Sequence, residues 1–274
     1  MPMISYAQHG EDIRLARAFR NQPTGFYIDV GAHDPVALST TKHFYDLGWR
    51  GLNLEAAPAA AKRIEAARQG DISLNVGVSN LDGTMTFYEA EASAAGLSTM
   101  SADEVAIHRK AGFKFKEYAV PSMTLASLCR AHVTKPIDFM SIDVEGHERQ
   151  VLEGADFTVY RPKILVIEAT RPLSQELTHQ NWEHILVNAD YVFAVFDGVN
   201  RYYVSKECRE LADAITLPPN PFDDYVLYEH QRQIDALRRE LSYYSPIRYP
   251  VRGIVSVARM VSSVIGLPFS KKSQ

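Results

Sequence analysis

Two segments decide the fold: FYIDVGAHDP at residues 26–35 and FMSIDVEGHE at residues 139–148. Each is a short apolar run that ends in an aspartate, Asp29 or Asp143, and continues into a loop containing glycine. Such segments are typical of parallel strands whose carboxyl ends border a ligand-binding cleft. Two of them in one chain predict an α/β enzyme with a cofactor cleft at one edge of its sheet.

Short apolar strands alternate with amphipathic helices around these segments. Such alternation predicts a parallel sheet covered by helices on both faces. Further strands are predicted at 51–56, 72–80 and 163–169, and helices at 39–47, 58–70, 124–132, 147–153 and 179–189.

Two other regions depart from the alternation. The Asp82-Gly83 turn predicts that residues 84–90 form a hairpin with the strand at 72–80, and residues 191–205 are predicted to form an antiparallel hairpin. Residues 90–118 have no clear period. Because a long loop inside a compact domain is usually functional or disordered, we interpret this stretch as a lid that faces the substrate.

Composition favours one α/β domain with a short appendix. The chain has 274 residues, of which 46% are apolar and 23% charged, and its net charge of -4 gives no indication of nucleic-acid binding. We predict a catalytic domain at 1–230 and a tail at 231–274. The two cysteines show no disulfide or metal pattern, and the first residues lack the basic and apolar segments of a secretory signal, so none is expected. The expected location is the cytoplasm.

The tail differs in charge from the rest of the chain. It holds eight Lys/Arg and two Asp/Glu. Residues 251–267 predict an amphipathic helix with basic flanks, which favours peripheral contact of residues 247–272 with the inner face of a membrane. The alternative is a helix that docks on the catalytic domain or on a second subunit of a homo-oligomer.

The first loop is poorly suited to a dinucleotide. It has one glycine, Gly31, where a diphosphate-binding turn needs three, and acidic and bulky residues follow it. A cofactor with positive charge and an amine suits this loop better. Glu55 ends the second strand, where a carboxylate can accept both hydroxyls of a ribose.

Five segments together resemble a known family. They are SYAQHGED (5–12), GFYIDVGAHDP (25–35), STTKHFYDLGWRGLNLEAAP (39–58), NVGVSN (75–80) and SIDVEGHERQVLEG (141–154). The resemblance is to FkbM-type S-adenosylmethionine-dependent methyltransferases and covers roughly residues 4–205. It implies a Rossmann-like seven-strand class I methyltransferase fold, mostly parallel with an antiparallel C-terminal hairpin, followed here by the helical tail. It also implies S-adenosylmethionine as cofactor.

The resemblance assigns roles to residues by position. Asp29, Gly31 and His33 would border the methionine end of the cofactor. Asp143 would also contact the cofactor, from the loop after the fourth strand. Glu55 would hold the ribose. The residues near the adenine would be Val78 and Ser79.

The second acidic loop supplies the candidates for proton transfer. Methyl transfer to a hydroxyl needs a proton acceptor, and Asp143, Glu145 and His147 lie just beyond the strand. His147 is our first candidate because the dipole at a helix N-terminus keeps its ring neutral, and Asp143 is the second. Glu145 would orient the cofactor or cap the helix.

A metal ion is not expected. Asp143 and Glu168, at adjacent strand ends, have oxygen atoms suited to Mg²⁺, but the sequence shows no third ligand beside them. In SYAQHGED, Gln8, Glu11 and Asp12 either close over the cofactor or simply begin a helix.

The resemblance therefore implies an O-methyltransferase that acts on a hydroxyl of a sugar in a surface polysaccharide, a glycolipid or a secondary metabolite. Two alternatives stay open. One is a noncatalytic binding or scaffold protein of a glycan-assembly complex that keeps the fold. The other is a nucleotide-sugar or NAD enzyme on a related sheet, against which the missing glycines count.

Overall fold

The computed structural model describes residues 2–244. The predicted membrane or docking segment at 247–272 lies outside the described residues. The chain divides into two compact units, Met1–Tyr228 and Glu229–Gln274. Of the second unit, only residues 229–244 are described.

The elements of the described part alternate as predicted. The strands are β1 (Met3–Ser5), β2 (Phe26–Val30), β3 (Arg50–Glu55), β4 (Ile72–Asn75), β5 (Gly77–Val78), β6 (Gly83–Ala90), β7 (Phe115–Met123), β8 (Phe139–Ile142), β9 (Ile164–Glu168), β10 (Tyr191–Phe196), β11 (Asn200–Ser205) and β12 (Tyr225–Leu227). The α-helices are α1 (Glu11–Ala18), α2 (Lys42–Asp46), α3 (Pro58–Ala67), α4 (Ala102–Lys110), α5 (Leu125–His132), α6 (Glu148–Glu153), α7 (Glu183–Asn188), α8 (Ala212–Thr216) and α9 (Tyr228–Tyr244).

One seven-stranded sheet forms the centre of the first unit. Its strand order is β10-β11-β9-β8-β2-β3-β4. The strands from β9 to β4 are parallel, whereas β11 and β10 run antiparallel at the edge. The predicted mostly parallel seven-strand fold with its C-terminal hairpin is confirmed.

Both faces of this sheet are buried. On one face Ile28 and Met140 belong to an apolar cluster. Tyr27 and Phe139, which point the other way, belong to a second cluster with Trp49. Alternating residues of a strand point to opposite faces, so these strands need apolar residues at nearly every position. This requirement explains the continuous apolar runs in the sequence.

The order in which the chain adds strands to the sheet determines where the cleft lies. From β2 the chain continues through β3 to β4 on one side and then returns to β8 and β9 on the other. The reversal lies between β2 and β8, and in open α/β sheets ligands bind beyond the strand ends at such a point. Asp29 and Asp143 therefore come to the same edge.

The predicted hairpin between 72–80 and 84–90 is wrong. β4 pairs with β3, and the amide of Val76 then donates to the carbonyl oxygen of Glu55, which turns the chain out of the large sheet. β6 pairs instead with β7, in a separate three-stranded sheet of order β5-β7-β6.

The stretch at 90–118 is not a simple loop. It contains a 3₁₀-helix at Ala92–Leu97, helix α4 and the start of β7. The Ser101 side chain accepts from the amide of Glu104 and caps α4. Acidic residues in the first turn and basic residues in the last stabilise the helix through its dipole. The helix is weakly amphipathic, so periodicity did not reveal it.

In the described part of the chain, no helix is both long enough and apolar enough to cross a membrane.

Candidate active site

A large cavity of about 1250 Å³ lies beyond the carboxyl ends of the central strands. At this edge, five residues lie at or next to the ends of adjacent strands: Asn200, Glu168, Asp143, Asp29 and Glu55. All five line the cavity. The sheet thus brings together carboxylates that are up to 139 positions apart in sequence (Asp29 to Glu168).

Gly31 allows the loops after β2 and β8 to touch. Its φ of +83° lies in the left-handed region, and a Cβ there would come within 1.8 Å of the carbonyl oxygen of Asp143. Any side chain at this position would push the two loops apart. The glycine therefore allows the loop after β2 and the loop after β8 to pack together and form the floor of the cavity.

Glu55 is held in place by backbone groups. Its two carboxylate oxygens accept from the amide of His33 at 2.8 Å and from the amide of Ala57 at 2.6 Å. The carboxylate thereby joins the loop after β2 to the start of α3. Burial raises the pKa of Glu55, whereas the two hydrogen bonds from the backbone amides lower it. The remaining lone pairs face a cavity where a diol can donate to them.

His33 adopts an uncommon backbone conformation. Its φ is +48°, and non-glycine residues in this region are uncommon and concentrate at functional sites. The strain turns the His33 amide toward Glu55 while the residue lines the cavity.

Asp29 lies at the end of β2 and is buried. Thr41 donates its hydroxyl to the Asp29 carboxylate at 2.6 Å. Burial raises the pKa of Asp29 to about 6, and the bond from Thr41 opposes that rise. The hydroxyl of Ser39 lies 3.3 Å from that of Thr41, and the helix predicted at 39–47 begins at Lys42.

Three carboxylates form the other half of the floor. Asp143, Glu145 and Glu168 each place one oxygen within 4.8 Å of the others. Asp143 is open to the cavity, yet surrounding protein atoms dehydrate its carboxyl and raise its pKa. Burial, followed by repulsion from Asp143, raises the pKa of Glu145 to about 9.

Glu168 is the most confined member of this group. It is 7% exposed, and its Oε2 atom is buried without a hydrogen-bond partner. Burial and repulsion from Asp143 and Glu145 raise its pKa well above the usual range. A buried carboxylate oxygen that lacks a donor is costly and usually marks a place for a ligand, ion or water. From the sequence we expected no metal ion, because only Asp143 and Glu168 were identified as possible ligands. The structure places Glu145 beside them as a third carboxylate.

His147 lies behind the cavity. It is 4% exposed, does not line the cavity, and its Nε2 is 3.0 Å from the hydroxyl of Ser79. Burial lowers its pKa to about 4, so the ring is neutral at pH 7. The positions of His147 and Ser79 give no support to their predicted roles as base and adenine contact, which stay predictions. Val78 lines the cavity as expected of an adenine neighbour.

No side chain caps α6, so the capping role that we had considered for Glu145 is absent, and Glu148 instead fixes the loop before the helix. Its carboxylate accepts from the amides of Val144 and Gly146 just before α6. Glu145 has a φ of +53°, and Gly146 follows at +91°. These two left-handed residues turn the Glu145 side chain toward the cavity and His147 away from it.

A lid covers the cavity, defined here as residues 92–100. Every residue of the lid lines the cavity. Thr99 donates to the carbonyl oxygen of Val144 at 3.3 Å, which joins the lid to the loop after β8. The stretch that we interpreted as a lid therefore does border the cavity, together with Phe113 and Phe115 from the chain that leads into β7.

The N-terminal segment divides into two roles. Gln8 and Glu11 line the cavity, and Glu11 accepts from the side chain of Asn200 at 2.9 Å. Asp12 instead accepts from the hydroxyl of Ser5 and the amide of Tyr6, so it fixes the turn before α1. Asn200 was missed by the sequence analysis because nothing local marks it; only the pairing of β11 with β9 brings it to Glu168.

Comparisons with known proteins were made by sequence and by structure. The family model described as the methyltransferase FkbM domain matches residues 29–193. A comparison with curated protein sequences found no match.

The comparison with solved structures gave matches of low similarity. A fibrillarin pre-rRNA processing protein from Methanococcus jannaschii is 11% identical with a TM-score of 0.38, over 72% of this chain and 76% of that one. An O-methyltransferase from Bacillus cereus, in complex with SAH, is 11% identical with a TM-score of 0.37, over 74% and 84%. Trm1 from Pyrococcus horikoshii, with S-adenosyl-L-methionine, is 14% identical with a TM-score of 0.33, over 77% and 64%. We draw no conclusion from similarities this low.

Proposed function

The chain belongs to the FkbM methyltransferase family, and from that premise we propose that it methylates a hydroxyl of a sugar in a surface polysaccharide, a glycolipid or a secondary metabolite. As a member of this family it is an S-adenosylmethionine-dependent methyltransferase. The acceptor and the methylated atom are the proposal, and the carboxylates at the floor of the cavity support it.

The residues present fit S-adenosylmethionine. Eight Asp/Glu residues line the cavity against three Lys/Arg, which suits a cofactor with a sulfonium and an ammonium group. Glu55 has free lone pairs for ribose hydroxyls, and the loop at Gly31 is closed against Asp143 with no room for a diphosphate turn. When bound, the cofactor supplies an electrophilic methyl group.

On the donor side, the chain's task is to hold and orient. We propose that Asp29, Gly31 and His33 border the methionine end, that Glu55 accepts from the ribose, and that Val78 packs near the adenine. Orientation of the reacting groups can account for roughly 7–11 kcal/mol of a barrier. A Glu55 fixed by two backbone amides is suited to that task.

On the acceptor side, one observation favours a hydroxyl: the carboxylates of Asp143 and Glu168 end adjacent strands, line the cavity and leave Glu168 Oε2 without a partner. A hydroxyl donates a hydrogen bond to such an oxygen and can release its proton to it in the reaction. We propose Asp143 as the proton acceptor, because it is the member of the group most open to the cavity.

The charge of the cavity also bears on the class of acceptor. An anionic acceptor such as a phosphate monoester would meet the same excess of carboxylates that attracts the cofactor. A neutral sugar carries only hydroxyls, which carboxylates bind well. The predicted sugar acceptor is therefore compatible with this surface.

Calorimetry with S-adenosylhomocysteine, followed by mass spectrometry of surface glycans and metabolites from a deletion strain, tests the proposal. We expect binding to the protein and the loss of one methyl group from a sugar in the strain. A binding signal without any methyl lost from the cell's glycans or small molecules would favour the noncatalytic alternative. Absence of binding would contradict the proposal at its first step.

The variant Asp143→Asn tests the proposed proton acceptor. It keeps the shape of the side chain but removes the proton acceptor, so we expect turnover to fall by about 10²- to 10⁴-fold with S-adenosylhomocysteine affinity nearly unchanged. Glu91→Gln is the control, because Glu91 also lines the cavity but is exposed beside Lys114. Turnover that survives in Asp143→Asn would remove Asp143 from the role.

A further inference from the structure

We propose that Asp143, Glu145 and Glu168 bind a hard divalent cation, of the Mg²⁺, Mn²⁺ or Ca²⁺ class, at the floor of the cavity. The binding itself does not depend on the proposed function. Only the role of the ion rests on it: the ion would hold the acceptor hydroxyl beside Asp143.

The distances among the three carboxylates suit a single ion. One oxygen from each residue lies within 4.8 Å of the other two. Ligand oxygens on opposite sides of such an ion are about 4–5 Å apart, which is twice a bond of about 2.1–2.5 Å. All three oxygens are therefore within reach of one cation, and carboxylate oxygens are ligands that these cations prefer.

No Lys or Arg of the described residues forms an ion pair with this cluster. His9 and His33 are the basic side chains of the cavity nearest to Asp143. The guanidinium of Arg171, on the segment after β9, is bound to Glu104 and Glu176. Three carboxylates this close repel one another unless a proton or a cation lies between them.

Glu168 gives the independent indication of a ligand. The side chain is more than nine-tenths buried, lines the cavity, and its Oε2 has no donor within the described residues. The left-handed backbone of Glu145 keeps its carboxylate beside the other two.

Three protein oxygens would leave coordination positions open. Mg²⁺ takes six ligands and usually keeps several waters, and Ca²⁺ takes six to eight. The open positions would face the cavity, since Asp143 is exposed there. A sugar hydroxyl that replaced one water would be fixed next to Asp143, and its proton would be easier to remove.

Titration with Mn²⁺ tests the site directly. The full chain is freed of metal with a chelator, and free Mn²⁺ is followed by electron paramagnetic resonance at pH 7.5. We expect one Mn²⁺ per chain with a dissociation constant of roughly 10⁻⁵ M, inside the range of carboxylate-rich Ca²⁺ sites, and competition by Mg²⁺ or Ca²⁺. No bound Mn²⁺ up to millimolar concentration would overturn the proposal, since a shared proton would then explain the cluster.

Variants locate the site. Glu168→Gln should weaken Mn²⁺ binding at least tenfold, and Glu145→Gln should do the same, which covers the case that one of them fails to fold. Glu91→Gln, a change of the same kind in the same cavity, should bind Mn²⁺ as the unaltered protein does. Equal affinities in all three variants would overturn the assignment.

Competition with the cofactor shows whether these carboxylates bind a metal ion or the ammonium group of the cofactor. S-adenosylhomocysteine and Mn²⁺ should bind together, because the proposed ion lies on the acceptor half of the floor. If S-adenosylhomocysteine displaces Mn²⁺, the carboxylates bind the ammonium of the cofactor and the metal proposal is overturned. Failure to bind S-adenosylhomocysteine with Mn²⁺ still bound would count against the proposed function alone.

Discussion

The α-carbon of Gly31 lies against the carbonyl oxygen of Asp143, so close that a methyl group at Gly31 would come within 1.8 Å of that oxygen. One residue follows β2 and the other follows β8, the two strands between which the chain reverses its order. This backbone contact joins the donor half of the cavity to the acceptor half.

Gly31→Ala should therefore damage both stability and binding. The methyl group meets a backbone atom that cannot rotate away, and we expect a loss of at least about 2 kcal/mol in the free energy of unfolding together with the loss of S-adenosylhomocysteine binding. Gly48→Ala is the control: Gly48 also has a positive φ, of +93°, but nothing lies within 4 Å of its added Cβ. Urea unfolding should show only about 1–2 kcal/mol of loss there. Equal losses would mean that the backbone angle, and not the contact, decides.

Glu55→Gln should weaken cofactor binding. Both carboxylate oxygens accept from backbone amides, and glutamine replaces one acceptor with a donor that faces an N–H group. An unmet buried donor costs about 1–3 kcal/mol, so the loop at His33 should loosen. We expect S-adenosylhomocysteine affinity to fall at least tenfold by calorimetry.

The control for Glu55 is Glu89→Gln. Glu89 lines the same cavity, and its carboxylate accepts from the hydroxyl of Tyr118, a bond that the oxygen of glutamine can still accept. Cofactor affinity in this variant should match that of the unaltered protein. A comparable fall in both variants would show that the total charge of the cavity, and not the position of Glu55, determines affinity.

The sequence was sufficient to predict the central strands and the edge of the sheet at which the site lies. β2 and β8 are marked by apolar runs that end in an aspartate, and a sheet buried on both faces leaves little choice of pairing for such runs. Local turn chemistry was a poorer guide. The chain does bend at Asp82, but it leaves the large sheet earlier, at Val76, and β6 pairs with β7, which begins 25 residues after β6 ends.

The site was harder to predict than the fold. Asp143 and Glu168 end strands, so their direction follows from the sheet. The direction of His147 depends instead on the left-handed angles of Glu145 and Gly146, which the letters VEGHE do not determine. Glycine permits such an angle, but the neighbouring glutamate takes one too, and only the packing of the loop shows which side chain reaches the cavity.

Asp29 should make stability depend on pH. In the folded protein its pKa is raised to about 6 by burial, against an ordinary value of 3.8, so the folded state keeps the proton over a range where the unfolded chain has released it. The folded state binds more protons there, and stability is lost as pH rises from about 4 to about 6. The full contribution is about 3 kcal/mol, from a shift of about two pH units.

Asp29→Asn removes this titration while its side-chain oxygen can still accept from Thr41. Urea unfolding at intervals from pH 4 to pH 7.5 should show the variant gaining stability relative to the unaltered protein as pH rises, with the difference levelling off above about pH 7. Profiles that stay parallel throughout would show that Asp29 is not dehydrated in the folded state.

His147 gives the sharpest test of what the sequence suggested. If it is the base, His147→Ala abolishes turnover and leaves cofactor binding nearly intact. Its position behind the cavity, bonded to Ser79, leads us to expect a different result for His147→Gln, whose side chain can keep the bond to the Ser79 hydroxyl. We expect this variant to retain turnover within about tenfold, because a general base contributes about 10² or more. Turnover is measured with labelled S-adenosylmethionine, beside Ser79→Ala, which removes the same bond from the other partner. Complete loss in His147→Gln, with S-adenosylhomocysteine binding and Ser79→Ala both near normal, would return the role of base to His147.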